Sequence, residues 1–599
     1  MGKTQKEEEH LRESDERYKI AVQGWHHIYE AALDDLKFTY DVDGGQWNEK
    51  VRNDRVASFR PVITVNKLLK FVRQLRGDMM LNRPRIKVIP VDNKADVKMA
   101  GLYNGIIRQI EYLNSANVAY DTAYMHLISS SIGFFRIVTK YADDNSFDQS
   151  IGIERIINPF AVHYDPAASD PVYADARYCF IEENMEKKAF IKKHPGADTE
   201  GFSGDNIGMQ WSNWFSEDNI KVAEYFYKEP VKKKIVQLNT GDIVELSKDI
   251  TIERLTSTGK VIVKDREVNS HKVMWCKRSG SEILEGPTLW PGKNIPIIPV
   301  LGDEIVVNGK KHYLSLIRGA KGPQEMYNYW AAAATESVAS IPKSLFIVDH
   351  KQIKGFEKEW EDMSTSHRPY ARFKSVAGVE RPRREPQTSI PTAIISMMQS
   401  TSFDIEDHLG RYESSKGEAS NERSRVAILA RIAQSDKGTY NFTESLTRAI
   451  VYAGRQFIDL IPKIYDTNRA LRIMGEEGKE EIVQVNIPIM DAQGNIGVGN
   501  DLSVGEFDLI ATVGASYSSK RQEINDYMLQ AMQYSQGLAD IIAPLIFKFS
   551  DSPGAEEIYN EIKKEIDRRE KTEMSAGKGA QNELPLRSPT RAADQSGLI

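Results

Sequence analysis

Apolar residues recur at helical spacing near the start of the chain, where "YKIAVQGWHHIYEAALDDLKF" sets Ile20, Trp25, Ile28 and Leu33 on one face. A loop, "DVDGGQ", follows. From Pro61 a second helical stretch runs through "VNKLLKFVRQLRGDMMLNRP", with Leu68, Val72 and Leu75 on one stripe; Pro84 then opens an extended segment, "RIKVIPV", and a further helix covers about 95–130. Between 134 and 310 the pattern shifts to short β-type segments: "FFRIVTKY", "IGIERII", "ARYCFIEEN", "KVAEYFYKE", "KKIVQL", "KVMWCKRS" and "IPIIPVLG", divided by Gly, Pro, Asn and Asp. Residues 247–272 alternate charged and apolar positions around "STGK", as an exposed hairpin would.

From 311 the pattern is helical again. In "MYNYWAAAATESVASIPKSLFIVD" four alanines stand behind a Tyr/Trp cluster. Gly322-Pro323 opens this helix, since proline fits a first turn, and Ile341-Pro342 ends it, giving about 18 residues or roughly 27 Å. A second helix of similar length runs from near Pro391 to Gly410, with Ile394, Met398, Thr401, Ile405 and Leu409 on one stripe. The insert between them reads strand ("SLFIVD"), short amphipathic helix ("IKGFEKEWEDM"), strand ("YARFKSVAG") and basic loop ("ERPRREP").

Two matched helices bracketing a compact module form a projection that one subunit cannot cover on all sides. Ala331, Ala332, Ala333 and Ala334 allow close approach of a neighbouring helix, while Tyr327, Tyr329 and Trp330 supply contact area. The expected interface between copies comprises these residues with Ile394, Met398 and Ile405, and Trp at 332 or 333 is expected to disturb assembly more than folding. A pair within one chain would also use such alanines; the projecting topology favours the oligomer.

Beyond Gly410, Ser420 or Asn421 caps a helix carrying Val426, Leu429, Ala430 and Ala433; after Gly438 a second stripes Phe442, Leu446, Ile450, Ala453 and Phe457. β-type sequence returns in "EEIVQVNIPIMDAQGNIGVGNDLSVGEFDLIATVG", and Ser519 with Gln522 opens a final helical region to about 570. The last stretch, rich in Gly, Ser, Pro and charge, is expected to be disordered.

Length and composition narrow the class. At 599 residues, with 41% apolar and 27% charged positions, the chain builds several globular regions. No apolar run reaches the roughly 18 residues that cross a bilayer, and the N-terminus is charged where a signal peptide is apolar, so a cytosolic chain without a membrane partner is expected. Cys179 and Cys276 fit no metal spacing and read as buried small hydrophobes. A net charge of −6 suits a surface along which DNA slides better than one that grips it.

Candidate chemistry is sparse. "GKT" at 2–4 lacks the glycine loop of a nucleotide site, "GNIGVG" reads as a turn, and the histidines fall in no ligand pattern. Asp165, Asp170 and Asp175 stand at five-residue spacing, but beside prolines they read as turn formers. No nucleophile motif, cofactor or metal is implied, although a carboxylate site assembled from distant segments would escape this search.

Several stretches, in order across roughly 60–540, resemble the large portal proteins of short-tailed phages, the head–tail connector family: "RPVITVNKLLKFVRQLRGDMMLNRPRIKVIPVD", "INPFAVHYDPAASDPVYADARYCF", "PIIPVLG", "HYLSLIRGAKGPQEMYNYW", "GEASNERSRVAI", "IPKIYDTNR" and "GASYSSKRQE". The resemblance implies an α+β portal fold with a β-rich wing, helical stem, small α/β clip, tunnel helix and short helical crown. On this chain the parts are an N-terminal helical segment 1–60, wing 61–312, first stem helix region 313–340, clip 341–390, second stem helix 391–412, tunnel helix and loop 413–462, β-type return to the wing 463–518, crown 519–570 and disordered tail 571–599.

It further implies a homo-oligomeric ring of twelve subunits at one capsid vertex of the virion, formed in the host cytoplasm, with double-stranded DNA passing non-specifically through it. Implied partners are the terminase motor, head–tail adaptor proteins, and capsid and scaffolding proteins. Arg381, Arg383 and Arg384 in the clip's basic loop would meet an acidic motor or adaptor surface, or equally stand as a solvated charged loop. Lys416, Arg423, Arg425 and Lys437 flank the tunnel helix and are candidates to face DNA, but the interleaved Glu418, Glu422 and Asp436 favour surface ion pairing. A carboxylate-based DNA-processing enzyme, or another structural tail or adaptor oligomer, are the alternative readings.

Overall fold

The computed structural model describes residues 5–91, 96–197, 219–239, 243–246, 261–339, 346–364, 370–384, 392–410, 439–474, 480–490, 496–513, 562 and 564. The chain divides into two units, Met1–Met80 with Pro84–Thr512, and Leu81–Arg83 with Val513–Ile599; of the second, residues 81–83, 513, 562 and 564 are described.

Helix α1 (Gln5–Tyr40) begins well before the apolar pattern does. Its polar first turns carry the ion pairs Arg12–Glu16 and Glu13–Arg17, each one turn apart, which favour helix where burial does not. Its buried side presents Tyr18, Ala21, Trp25, Ile28, Tyr29, Ala32 and Phe38. Ile20 is not among them: at 3.6 residues per turn a helix that buries 18, 21 and 25 turns position 20 outward, and Ile20 is 53% exposed.

Helix α2 (Glu49–Ala57) is capped by the Asn48 side chain, which accepts the Lys50 N–H at 3.1 Å. Then come α3 (Leu68–Leu81), α4 (Val97–Leu113), α5 (Ala116–Ser130) and α6 (Lys187–Lys193). The expected single helix at 95–130 is two, broken at Ser115, whose φ of 48° is left-handed. Helices α7 (Lys321–Ala339), α8 (His350–Ile353), α9 (Glu357–Glu361), α10 (Thr392–His408) and α11 (Tyr440–Ile464) follow.

The strands are β1 (Pro84–Pro90), β2 (Ile132–Tyr141), β3 (Gln149–Arg155), β4 (Val162–Tyr164), β5 (Tyr178–Glu186), β6 (Asn219–Leu238), β7 (Ile243–Glu245), β8 (Ile262–Arg278), β9 (Ile283–Leu289), β10 (Ile297–Leu301), β11 (Asp303–Val307), β12 (Lys310–Leu314), β13 (Phe346–Ile347), β14 (Arg383–Arg384), β15 (Arg469–Met474), β16 (Glu480–Val485), β17 (Ile487–Met490), β18 (Ile496–Gly499) and β19 (Phe507–Val513). One antiparallel sheet runs β4-β5-β6-β8-β9 with β7 on β6; another runs β10-β2-β3. The rest pair as β1-β19, β11-β12, β13-β14, β15-β16 and β17-β18. The mixed α+β class is as the sequence implies.

Sequence reading separates 221–229 from 233–238 because Pro230 lies between them; the structure makes both one strand. β5 pairs with β6 only as far as Tyr227, and β7 pairs from Ile235, so Pro230 sits where, among the described residues, no strand pairs that edge of β6 and no donor is needed. The expected hairpin at 247–272 has its second strand in β8, while residues 247–260 lie outside the described residues.

The largest core joins α3, α4, α5 and α11 to β2, β3, β15 and β16. Leu68, Val72 and Leu75, and the α11 stripe Phe442, Leu446, Ile450, Ala453 and Phe457, are all buried in it, as their spacing predicts. Gly133 lets β2 approach α5: a Cβ there would lie 2.1 Å from the Ala123 carbonyl oxygen. A second core sets α1 against β4, β5 and β10 around Trp25 and Phe134. Cys179 and Cys276 are buried and free, as expected.

Where α1 meets β5 and β6, the carboxylate of Glu182 holds three groups. His163 Nε2 lies 2.9 Å from Oε1, Lys221 Nζ lies 2.5 Å from Oε2, and the Tyr18 hydroxyl donates to Oε1. Burial opposes the charge on Glu182, but His163 and Lys221 outweigh it and pull the carboxyl down to about 2. The aspartates at 165, 170 and 175 hold turns: Asp165 pairs with Arg177 at 2.6 Å, Asp170 accepts the Val172 N–H at 2.8 Å, and Asp175 accepts the Ser169 N–H at 2.7 Å.

Candidate functional site

Helices α7 and α10 pack against each other, with the C-terminal end of α10 beside the start of α7. The base of the pair is sunk in the body. Ile405 of α10 and Leu409 just after it join Leu316, Ile317 and Ala320 in the main core. Asp35 of α1, fully buried, accepts the Ser315 hydroxyl at 2.7 Å, forks with Arg318 at 2.7 and 3.0 Å, and meets Lys321 Nζ at 2.6 Å. A buried carboxylate is tolerated when it is paired and hydrogen-bonded, and here its partners fix the first turn of α7.

One turn further, Gln324 and Asn328 face inward, both fully buried. Gln324 accepts the Lys67 N–H at 3.2 Å and donates to the Val65 carbonyl at 2.9 Å; Asn328 accepts the Val65 N–H at 3.0 Å and donates to Gln46 Oε1 at 3.2 Å. These amides supply an extended segment, residues 61–67, with the backbone partners it would otherwise lack. Lys67 Nζ then spans both helices, 2.6 Å from Ser402 Oγ and 4.2 Å from the centre of the Tyr327 ring. Arg55 and Arg60 both reach Glu336, at 3.3 and 2.9 Å, and Arg60 holds that carboxyl below its usual range. Of these residues, the sequence points to Tyr327 alone. The signal was present in α7, where two amides occupy the same stripe as Ala331 and Ala332.

The clasp changes the account of the alanines. Ala331 and Ala332 are 8% and 0% exposed within one chain, and Ile405 is fully buried in the chain's own core, so these three are already covered by their own subunit. Ala333, Ala334, Tyr327, Trp330, Ile394 and Met398 are half-buried, and Tyr329 is 40% exposed with its ring 5.7 Å from that of Trp330. The distal parts of the two helices, 333–339 and 392–400, contain no buried residue. Their large apolar side chains are open: Val338 is 51% exposed, Ile395 48% and Met397 50%; nearer the base Met326 is 49% and Phe403 62% exposed.

The module between the helices is small and self-contained. β13 pairs with β14, Phe346 to Arg384 and Ile347 to Arg383, and Trp360 of α9 meets Phe346 edge-on at 5.5 Å. Trp360 Nε1 donates to the Arg372 carbonyl at 2.8 Å, and buried Gln352 donates to the Glu380 carbonyl at 2.8 Å. The expected strand at 370–378 does not form. Its backbone is held instead by the Gln352 carbonyl, which accepts the Lys374 N–H at 2.8 Å, and by Trp360, and the strand partner of β13 is the basic segment expected to be a loop. Arg381 and Arg383 are exposed, and Arg383 and Arg384 form β14. Lys416, Arg423, Arg425 and Lys437 lie outside the described residues.

Among the described residues no group of three or more His, Cys, Asp or Glu is placed to hold a metal ion, and no helix is long and apolar enough to cross a membrane. A cleft of about 650 Å³ is lined by Asp303, Glu304, Tyr313, Glu444 and Arg448, where Asn441 bridges both Asp303 oxygens at 2.6 Å.

The family model for the phage P22-like portal protein matches residues 15–595. A curated portal protein of Acyrthosiphon pisum secondary endosymbiont phage 1 is 23% identical over 571 residues, spanning 90% of this chain and 78% of that protein. The match runs through the β-rich body, the clasped helix pair, the small module and the return strands, so this chain belongs to the phage P22-like portal protein family.

Proposed function

We propose that this chain closes with copies of itself into a ring of twelve, which serves as the channel for genome packaging and ejection. Membership of the family makes the protein a phage portal, the head–tail connector at a capsid vertex, in a family that is structural rather than enzymatic. The observation that carries the ring is the helix pair. Its base is fixed by Asp35, Gln324 and Asn328, while Val338, Ile395, Met397 and Phe403 are left to solvent. A stem anchored so firmly and covered so incompletely fits burial by neighbouring copies.

In this reading 313–340 and 391–412 are the stem, 341–390 the clip and 413–462 the tunnel helix and loop. The wing comprises 61–312 with 463–518, preceded by the helical segment 1–60 and followed by the crown, 519–570, and the tail, 571–599. Tyr329, Trp330, Ala333 and Ala334 contribute to the contact between copies with Ile394 and Met398. The clip presents Arg381, Arg383 and Arg384 to an acidic surface of the terminase motor, and later to head–tail adaptors. Lys416, Arg423, Arg425 and Lys437 are offered to passing double-stranded DNA, loosely, so that it is not trapped. Assembly takes place in the host cytoplasm with capsid and scaffolding proteins.

Negative-stain imaging of the purified full-length protein tests this reading: rings with a central opening are expected. Uniform monomers across the accessible concentration range would overturn it. Retention of the terminase by wild-type rings, lost on Arg381→Glu with Arg383→Glu, tests the clip assignment.

A further inference from the structure

Among the described residues two aromatic side chains stand on left-handed backbone, Tyr173 at φ 56° and Phe59 at φ 54°. A side chain in this region is strained by contact between its Cβ and the backbone, and the surrounding structure must supply a reason for it. For Tyr173 the reason is internal. It is 3% exposed, its ring lies 4.9 Å from Tyr164 and 5.7 Å from Trp25, and its hydroxyl is 3.0 Å from that of Tyr313. Phe59 has no internal reason: it is 98% exposed.

The position of Phe59 sharpens the contrast. It follows the C-terminus of α2, where the Phe59 N–H donates to the Val56 carbonyl at 3.1 Å and the Arg60 N–H donates to the Arg55 carbonyl at 2.8 Å. This is the two-bond closure in which glycine is the usual residue, because the left-handed step then costs nothing. Here the chain carries a phenyl ring in water instead. The mounting is rigid: Arg55 Nε donates to the Pro61 carbonyl at 3.0 Å, its guanidinium lies 5.5 Å from the centre of the Tyr329 ring, and Arg60 forks onto Glu336. Val56 and Val51 on α2 are also exposed, at 58% and 40%, as is Tyr329 on α7, at 40%.

We propose that Phe59 is an anchor of the contact between subunits, inserting into the neighbouring copy of this chain. The proposal rests on the ring reading. Its occupant is a second copy because Arg55 and Arg60, on either side of Phe59, tie it to Tyr329 and Glu336 on the flank of α7, and that reading sets Tyr329 against the next subunit. In a ring generated by rotation the contact is head-to-tail, so Phe59 meets a different surface of its neighbour rather than another Phe59.

Full-length protein with p-benzoylphenylalanine in place of Phe59, irradiated at a concentration where rings form, should give a ladder of covalent dimers and trimers. Cross-links confined to one chain, or to another protein alone, would overturn the proposal. Phe59→Gly separates anchor from structure: the concentration needed for half-assembly should rise at least tenfold while the thermal midpoint of the dissociated subunit rises. Assembly equal to wild type would overturn it, as would weakened assembly with a lowered subunit midpoint, which marks a folding role. Wild-type protein that never oligomerises removes the ring reading itself, and this proposal with it.

Discussion

Arg318 lays its guanidinium across the carboxylate of Asp35, Nη2 and Nε standing 2.7 and 3.0 Å from Oδ2, although 283 residues separate them in the chain. Asp35 is fully buried, so truncation leaves Arg318 and Lys321 facing an unfilled site at the base of the stem. Asp35→Ala should destabilise the subunit by about 3–5 kcal/mol, seen as a lowered urea midpoint. A loss below about 1 kcal/mol would show that these groups are solvated without Asp35.

Glu182 gives a pH dependence with a definite sign. Its carboxyl is pulled from 4.5 in the unfolded chain to about 2 in the folded one. The stability it contributes is therefore complete above about pH 4.5 and lost as pH falls toward 2. That loss is on the order of 3 kcal/mol, because each tenfold change in proton affinity between the two states is worth about 1.4 kcal/mol. Denaturant midpoints measured between pH 5 and pH 2 should fall in wild type, and fall less in Glu182→Gln, which is weaker throughout because Lys221 keeps no charged partner.

Ala332→Trp and Phe403→Asp should fail differently. Ala332 is fully buried in a single chain, so bulk there costs the subunit about 1–3 kcal/mol or more before any neighbour is met. Phe403 is 62% exposed; Asp there should leave subunit stability within about 0.5 kcal/mol and prevent rings. Thermal melts of dissociated subunits with light scattering of the assembly distinguish the two. Intact rings from Phe403→Asp would remove the outer side of α10 from the interface.

Gly133→Ala should prevent folding outright or cost at least about 3 kcal/mol, because the added Cβ meets a backbone oxygen at 2.1 Å and a carbonyl cannot rotate aside as a side chain can. Soluble yield and circular dichroism of the variant measure it. A native melt would mean that α5 shifts freely on β2.

The helix pair was legible in the sequence because prolines bracket it and apolar spacing marks it: α7 and α10 fall within a few residues of their expected limits. The α11 stripe was legible for the same reason. What periodicity missed was long-range and polar. Gln324 and Asn328 look like ordinary surface amides until residues 61–67 are laid beside them, and nothing local says that Arg60 will meet a carboxylate 276 positions away. The clip misled because "YARFKSVAG" has strand composition, yet its backbone is held by the Gln352 carbonyl and the Trp360 indole, leaving two arginines to pair with β13. Ile20 misled by a single position on a helix whose true phase is set by Trp25 and its neighbours.

The bond from Asn328 to Gln46 joins residues 282 apart, and this has a meaning in time. At a synthesis rate of about 5–20 residues per second, Gln46 leaves the ribosome roughly 15–55 s before its partner. Throughout that interval α1 and the segment beside it exist without the helix they are built to grip. A ribosome-bound fragment therefore has no finished stem to offer a neighbouring copy until the second half of its message has been read.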